Sequence, residues 1–419
     1  MITKEWMRID FKVETPMFTG RGAVETDNDG PKGPAPQADG FRIPELRGSL
    51  RFWFRAMVGA GQSTDQVREL EATIFGRAAN DGKPPQGPAI RLRQAPQIVE
   101  DIQPEWLVRC TGLSYLLGLG LVERLQGQPW LIRTPLSHTA PANAGAIEVA
   151  SGPYNEIIGA CLWCVGALGG LGARPRKGFG SVQFLPEGLT ALGPGLSKAL
   201  LKDQRTEPSH FFDPAKAFDV VNYVRCLLKL GPAPFLDSPQ DFPVLAPGVW
   251  RLERSRDRVG SDALEALDYM GVWYRRHRAT VRRENKPPYH RWATPEYQHG
   301  LVPLIRAGTG PRLNVPLGGL GLPIQITQSS NPNNPWHLEP VGSERVPSPL
   351  WLKVAGIDSE WRGVAHGFRV KMLDHPDRVQ IRQDHGRTFP AHLTDDMAWA
   401  RVNQALDSFK GNWAEQTRG

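Results

Sequence analysis

The chain has 419 residues, 40% of them hydrophobic, and carries a net charge of +7. That is too long for one ordinary domain, fits two of roughly 200 residues each, and is too apolar for a disordered chain. Four cysteines exclude a disulfide scaffold, and residues 1–20 hold no apolar signal-peptide core, so the expected compartment is the cytoplasm. Basic residues are mostly arginine, 37 against 13 lysines. Arginine offers a planar fork of donors suited to phosphate, which favours a nucleic-acid partner.

Met7, Ile9, Phe11 and Val13 alternate with polar residues, the period of a strand with one buried face. Residues 25–40, rich in Gly, Pro, Asp and Asn, read as a long loop. Ile43-Pro44-Glu45 opens a helix whose Leu46, Leu50, Phe54 and Met57 form one core-facing stripe. A second loop at 78–89 precedes strands expected around 90–93 and 106–113. Tyr154 to Leu168 reads as a buried helix, which explains the uncharged run 157–173 better than a membrane span, because that run contains five glycines. A short strand, 181–185, follows.

Strand, helix, strands, helix, strand is the ferredoxin-like order. The expected fold class is α+β: two ferredoxin-like, RRM-like domains with long inserted loops, spanning 1–190 and 205–419. In the second unit, 214–230 and 262–283 read as helices around a Pro-rich stretch, 231–248. Strands are expected at the end of 317–326 and over 350–354, with a polar loop, 327–349, between them. Residues 395–409 close the chain as a helix. Gly169–Gly172 is echoed by Gly318–Gly321.

Three basic features point to RNA. The run Gly169 to Gly180 combines Gly170, Gly172 and Gly178, which let backbone N–H groups approach a phosphate, with Arg174, Arg176 and Lys177 as countercharge and Phe179 as a ring for stacking on a base. Its spacing matches neither the nucleotide P-loop nor the dinucleotide fingerprint. Arg47, Arg51 and Arg55 lie along one helix face, about 6 Å apart in rise, with no acidic partner at i±4, so an external anion would relieve their repulsion. Arg275, Arg276 and Arg278, followed by Arg282, Arg283 and Lys286, come directly after Trp273 and Tyr274; such a segment suits single-stranded RNA or an acidic protein equally well.

Other chemistry is thinner. Cys161 and Cys164 lack a second ligand pair and sit in an apolar helix, so they read as structural. The histidines show no metal spacing, and His138 is the acid–base candidate of least poor context. No cofactor and no metal are called for.

Three stretches, Glu14-Thr-Pro-Met-Phe-Thr-Gly20, Leu46-Arg-Gly-Ser-Leu-Arg-Phe-Trp-Phe-Arg55 and Gly170 to Ser181, together resemble the RAMP superfamily of CRISPR-associated proteins, in particular the first-subunit branch of the type III-B (Cmr) RNA-guided effector. Gly318 to Ile326 and Arg345-Val-Pro-Ser-Pro-Leu350 are similar to that branch's C-terminal unit. The resemblance implies a non-catalytic RNA-binding subunit at the head of the complex, near the guide RNA's 3′ end. It also implies contact with guide RNA, target RNA and other RAMP subunits, and no membrane. Pro175 stands where the family more often has a small polar residue, and removes one backbone donor. The competing reading is a metal-independent endoribonuclease that processes CRISPR RNA. It needs a general base beside the RNA, and neither the glycine-rich run nor the first helix contains a histidine.

Overall fold

A computed structural model describes residues 5–19, 26–27, 30–31, 42–79, 84–94, 111–118, 121–125, 128–131, 145–201, 213–255, 259–278, 281–282, 291–292, 313–328, 331–343, 345–357, 360–383 and 388–409. Its main elements run β1 (Trp6–Val13), α1 (Ile43–Val58), α2 (Thr64–Phe75), β2 (Leu92–Gln94), α3 (Thr111–Leu117), β3 (Gly145–Ala150), α4 (Asn155–Ala167), β4 (Val182–Phe184), α5 (Pro186–Thr190), α6 (Pro194–Leu201) and α7 (Pro214–Leu227). They continue with β5 (Trp250–Arg254), α8 (Ala263–Arg278), β6 (Leu313–Asn314), β7 (Ile324–Gln328), β8 (Asn331–Pro340), β9 (Leu350–Ile357), β10 (Glu360–Phe368), β11 (Val379–Gln383), β12 (Thr388–His392) and α9 (Asp395–Phe409). Among the described residues, no helix is long and apolar enough to cross a membrane.

The first sheet has the order β2-β3-β1-β4, and every neighbouring pair is antiparallel. Ile9, Phe11 and Val13 project from β1 into a core with Leu46, Leu50, Phe54 and Met57 of α1 and Ile158, Cys161 and Leu162 of α4. The period-two and period-3.6 patterns therefore meet where both are apolar. Cys161 and Cys164 are fully buried, and burial pushes both thiols well up, which keeps them protonated. Helix α7 packs its Ala217, Val220, Val221 and Val224 on this same core, although it lies beyond residue 205 in sequence.

A second sheet, β9-β10-β5, carries α8 and α9 on one face. Strand β9 is buried on both sides. Leu350, Leu352 and Val354 face the α8/α9 core, while Trp351 and Ala355 belong to the first core. A third, five-stranded sheet, β6-β12-β11-β8-β7, lies between α8 and the chain's end, with its own core around Leu338, Ile381 and Ala391.

Two elements differ from the expectation. Residues 111–117 form helix α3 rather than the end of a strand; Leu113, Leu116 and Leu117 are buried at helical spacing. Gly112 is pressed against α8, where a Cβ would lie 1.9 Å from the Asp268 carbonyl oxygen, and Asp268 accepts from the Leu113 amide at 2.8 Å. The stretch 327–349 is no simple loop, since β8 runs through it. Only Trp336, Leu338 and Pro340 carry the inward period of that strand, behind a Pro- and Asn-rich start that hides it.

Candidate nucleic-acid interface

The glycine-rich run is a structural knot tied by two distant segments. Ala173 donates its amide to the Phe18 carbonyl at 2.7 Å, Gly180 donates to Pro16 at 2.8 Å, and Leu352 of β9 donates to Arg176 at 3.1 Å. Thr15 Oγ1 donates to the Gly178 carbonyl at 2.6 Å and accepts from the Ser181 amide at 2.9 Å. Below it, Lys353 Nζ and a Glu14 carboxylate oxygen lie 3.8 Å apart, both side chains buried. Glu14 also accepts from the Gly356 amide at 3.1 Å. Burial, the largest influence, raises the Glu14 carboxyl against the pull of Lys353, and it lowers the Lys353 ammonium to about 8.

This geometry changes the role of the glycines. Gly180 has φ +63°, and a Cβ there would sit 1.9 Å from the Leu171 carbonyl oxygen. Gly172 has φ +79°, and its Cβ would sit 2.6 Å from the Phe18 carbonyl oxygen. The glycines make room for protein backbone. The amides of Gly169, Leu171, Ala173, Lys177, Gly178 and Gly180 are all spent on protein carbonyls. Pro175 costs nothing here: it occupies the second position of a turn closed by the Lys177 amide on the Arg174 carbonyl at 2.8 Å, where proline's fixed φ is favourable.

The side chains divide sharply. Phe179, expected to stack on a base, is fully buried edge-on to Phe18, with ring centroids 5.5 Å apart, because the tight turn at Gly178–Gly180 swings it inward. The Lys177 stem is partly exposed, but its ammonium is buried, 3.7 Å above the Tyr274 ring centroid. Arg176 lies over Trp351 at 4.9 Å, and Trp351 in turn stacks on Phe52 of α1 at 5.0 Å. Arg174, in the left-handed region at φ +63°, is part-exposed. Burial, then repulsion from Arg345 and Arg278, lowers its guanidinium pKa.

On α1 the expected anion is supplied internally. Glu71 of α2 takes Arg51 at 2.7 Å and Arg55 at 3.0 Å, and Arg51 also donates to the Phe75 and Gly76 carbonyls. Only Arg47 of the three remains exposed without an ion-pair partner among the described residues. The segment after Trp273 is likewise partly consumed. Trp273 and Tyr274 are core residues rather than stacking platforms, and Arg278 donates to the Gly321 and Pro323 carbonyls at 3.2 and 3.1 Å. Arg275 lies over Tyr115 at 5.9 Å, and Arg276 is half-buried. Arg283, Lys286 and His138 lie outside the described residues, as do the side chains of the Arg282 strand.

Tyr115 and Arg345 were not singled out by their sequence context. Tyr115 lies on α3 just beyond the stretch 106–113 whose pattern predicts a strand, and Arg345 lies in a stretch similar to the family's C-terminal unit. Only the fold brings them to the loop.

Comparison with known proteins bears out the family resemblance. The sequence signature of the RAMP superfamily matches residues 10–115. A CRISPR system Cmr subunit, Cmr1-1 of Pyrococcus furiosus, is 23% identical over 154 residues, 34% of this chain. The match spans 40% of that relative's length. The crystal structure of Cmr1 from Pyrococcus furiosus in its apo form superposes with a TM-score of 0.52 at 14% identity, covering 96% of this chain and 97% of that one. A cryo-EM structure of the type III-B Cmr-beta complex bound to cognate target RNA contains a chain of TM-score 0.44 and 10% identity, with 97% and 99% covered. The chain therefore shares an α+β fold with Cmr1.

Proposed function

We propose that this chain is a non-catalytic RNA-binding subunit of a type III-B CRISPR effector complex. In this reading it holds the 3′ region of the guide RNA and the target RNA at the head of the assembly, in the cytoplasm, docked against other RAMP subunits. The observation that carries the reading is the exposed edge of the glycine-rich knot. Arg174 and Arg176 stand there on a rigid base, with no carboxylate paired to either among the described residues. Fixed cations without countercharge attract a polyanion, and contacts of this kind position RNA without reading its bases. The similarity to a Cmr subunit supports the assembly and its partners.

We take the two units, 1–190 and 205–419, as ferredoxin-like. The first sheet's order supports this directly, since its second and first strands flank the third as in a split βαβ arrangement. The second unit's β5-α8-β9-β10-α9 succession gives the same frame, without a fourth strand in its three-stranded sheet and with the five-stranded sheet contributed from the segments around β9 and β10.

The nuclease alternative requires an accessible base. His366 is buried, between Leu168 O at 2.7 Å and the Trp250 indole at 3.3 Å. His277 is bound to Ser408 at 2.7 Å. Both are committed to holding structure, whereas the more accessible His392 and His375 lie 2.6 and 3.8 Å from Asp377 on and beside the third sheet.

The test is RNA binding by the isolated full chain across a salt series. Replacing Arg174 and Arg176 together by Ala should flatten the dependence of log K on log salt by about one unit per lost phosphate contact. An unchanged slope would remove the loop from the interface. Incubation with repeat RNA in EDTA tests the alternative: specific cleavage, abolished by His138→Ala, would replace this reading.

A further inference from the structure

The geometry points to a phosphate-class oxyanion site beneath the glycine-rich loop, built from Arg174 and Lys177 of the loop, Tyr115 of α3, Tyr274 and Arg278 of α8, and Arg345 just before β9. It deepens the RNA-binding reading and rests on it.

Unused donors are the first observation. The Lys177 ammonium is shut off from solvent with only the Tyr274 phenol beside it, and the Arg278 Nε is shut off with no acceptor. Burying a donor without a full acceptor costs free energy that folded proteins seldom leave uncompensated, and here two such donors come from facing elements.

Charge is the second. Several arginines elsewhere are matched by carboxylates: Arg51 and Arg55 by Glu71, Arg251 by Glu253 and Asp407, Arg382 by Glu339. Around the loop, no carboxylate among the described residues pairs with Arg174, Lys177, Arg278 or Arg345. Arg174 is close enough to both Arg278 and Arg345 to be repelled by each. Two phenols, Tyr115 and Tyr274, with ring centroids 6.0 Å apart, are the acceptors offered, and Tyr274 already gives its hydroxyl to the Leu320 carbonyl at 3.1 Å. Phenols cannot offset four cations.

Rigidity is the third. Arg278 is fixed by the Gly321 and Pro323 carbonyls, and the Arg174 guanidinium lies against the end of α3, 3.4 Å from where a Cβ on Gly118 would be. Arg278 and Arg174 are held in place before any ligand arrives, so an oxyanion meeting them pays little for their ordering. Planar guanidinium forks suit phosphate oxygens in particular.

A backbone phosphodiester and a terminal phosphate share this chemistry, and the test separates them. Fluorescence anisotropy of the full chain is measured with single-stranded RNAs of one length, ending in hydroxyl or in phosphate, over a salt series. Arg345 is exposed, so Arg345→Gln should leave the melting temperature unchanged while weakening RNA binding about tenfold, the usual worth of a charge-assisted hydrogen bond. The salt slope should fall by about one unit. An equal loss for both RNAs identifies a backbone phosphate, and a loss confined to the phosphate-ended RNA identifies a terminal one. Wild-type affinity and slope in Arg345→Gln would overturn the site while leaving RNA binding by the chain intact. So would an equal loss from Arg68→Gln, a 72% exposed arginine on α2, because the effect would then be generic charge. Failure of the unaltered chain to bind RNA would overturn the broader reading and the site together.

Discussion

The Lys177 ammonium stands buried, 3.7 Å above the centroid of the Tyr274 ring, with no carboxylate paired to it among the described residues. Cation–π attraction contributes about 2 kcal/mol when desolvated, which does not repay burying an unpaired ammonium. Lys177→Met keeps the length and removes the charge. It should raise the urea midpoint of the RNA-free chain and weaken RNA binding. A lowered midpoint would mean that the ring contact outweighs the desolvation.

Two buried histidines set an acid limit. Burial lowers both His277 and His366 to about 4, so each stays neutral in the fold and takes up a proton only on unfolding. The unfolded chain binds these protons from about pH 6.5 downward, so their stabilising effect is complete above that value and is lost as pH falls towards 4. Each contributes a slope of about 1.4 kcal/mol per pH unit across that window. Urea titrations at several pH values check this, and His366→Gln should remove about half of the slope. A midpoint that does not move between pH 6.5 and 4.5 would contradict the assignment.

Glu14 and Lys353 should be strongly interdependent. Glu14→Gln leaves a fully buried lysine without its counter-ion and should cost about 3–5 kcal/mol, whereas the double replacement Glu14→Gln with Lys353→Met should recover most of that loss. A double-mutant cycle in urea measures the coupling. Additive losses would show that the two groups act separately.

Phe179 and Arg47 make a matched contrast. Phe179→Ala empties a core position and should lower stability by about 3–5 kcal/mol, with little change in RNA affinity for the molecules that remain folded. Arg47→Ala touches no core residue and should leave the melting temperature within a degree or two, while reducing the salt slope of RNA binding by about one unit. Thermal denaturation paired with anisotropy reads both.

Periodicity made the helices at 43–58, 155–167 and 395–409 and the strand at 6–13 legible, because each has one face buried against a single core. Helix α3 was not, since its fit depends on Gly112 meeting the backbone of α8, a contact no local pattern records. The arginine face of α1 was misread for a related reason: i±4 reasoning cannot see Glu71, which lies 16 and 20 residues away and arrives by helix packing. The glycine-rich run posed a deeper ambiguity. Glycines that admit a phosphate and glycines that admit a neighbouring strand look identical in sequence, and here the second use holds at Gly172 and Gly180. The similarity to RAMP proteins could locate the loop, while its charged inventory could be sorted only after Phe179 and Lys177 were seen to point inward.

Strand β9 has a consequence for how the molecule is made. Its Trp351 and Ala355 complete the core begun by residues 9–58, and its Lys353 meets Glu14. During synthesis the first 200 residues leave the ribosome some 150 residues ahead of β9, with Phe52 and Trp53 uncovered and Glu14 unanswered. The nascent chain must wait through that interval with an apolar face exposed, the condition under which chaperones are engaged and truncated products aggregate. A ribosome stalled before residue 350 should therefore display a chaperone-bound N-terminal half, released once β9 has emerged.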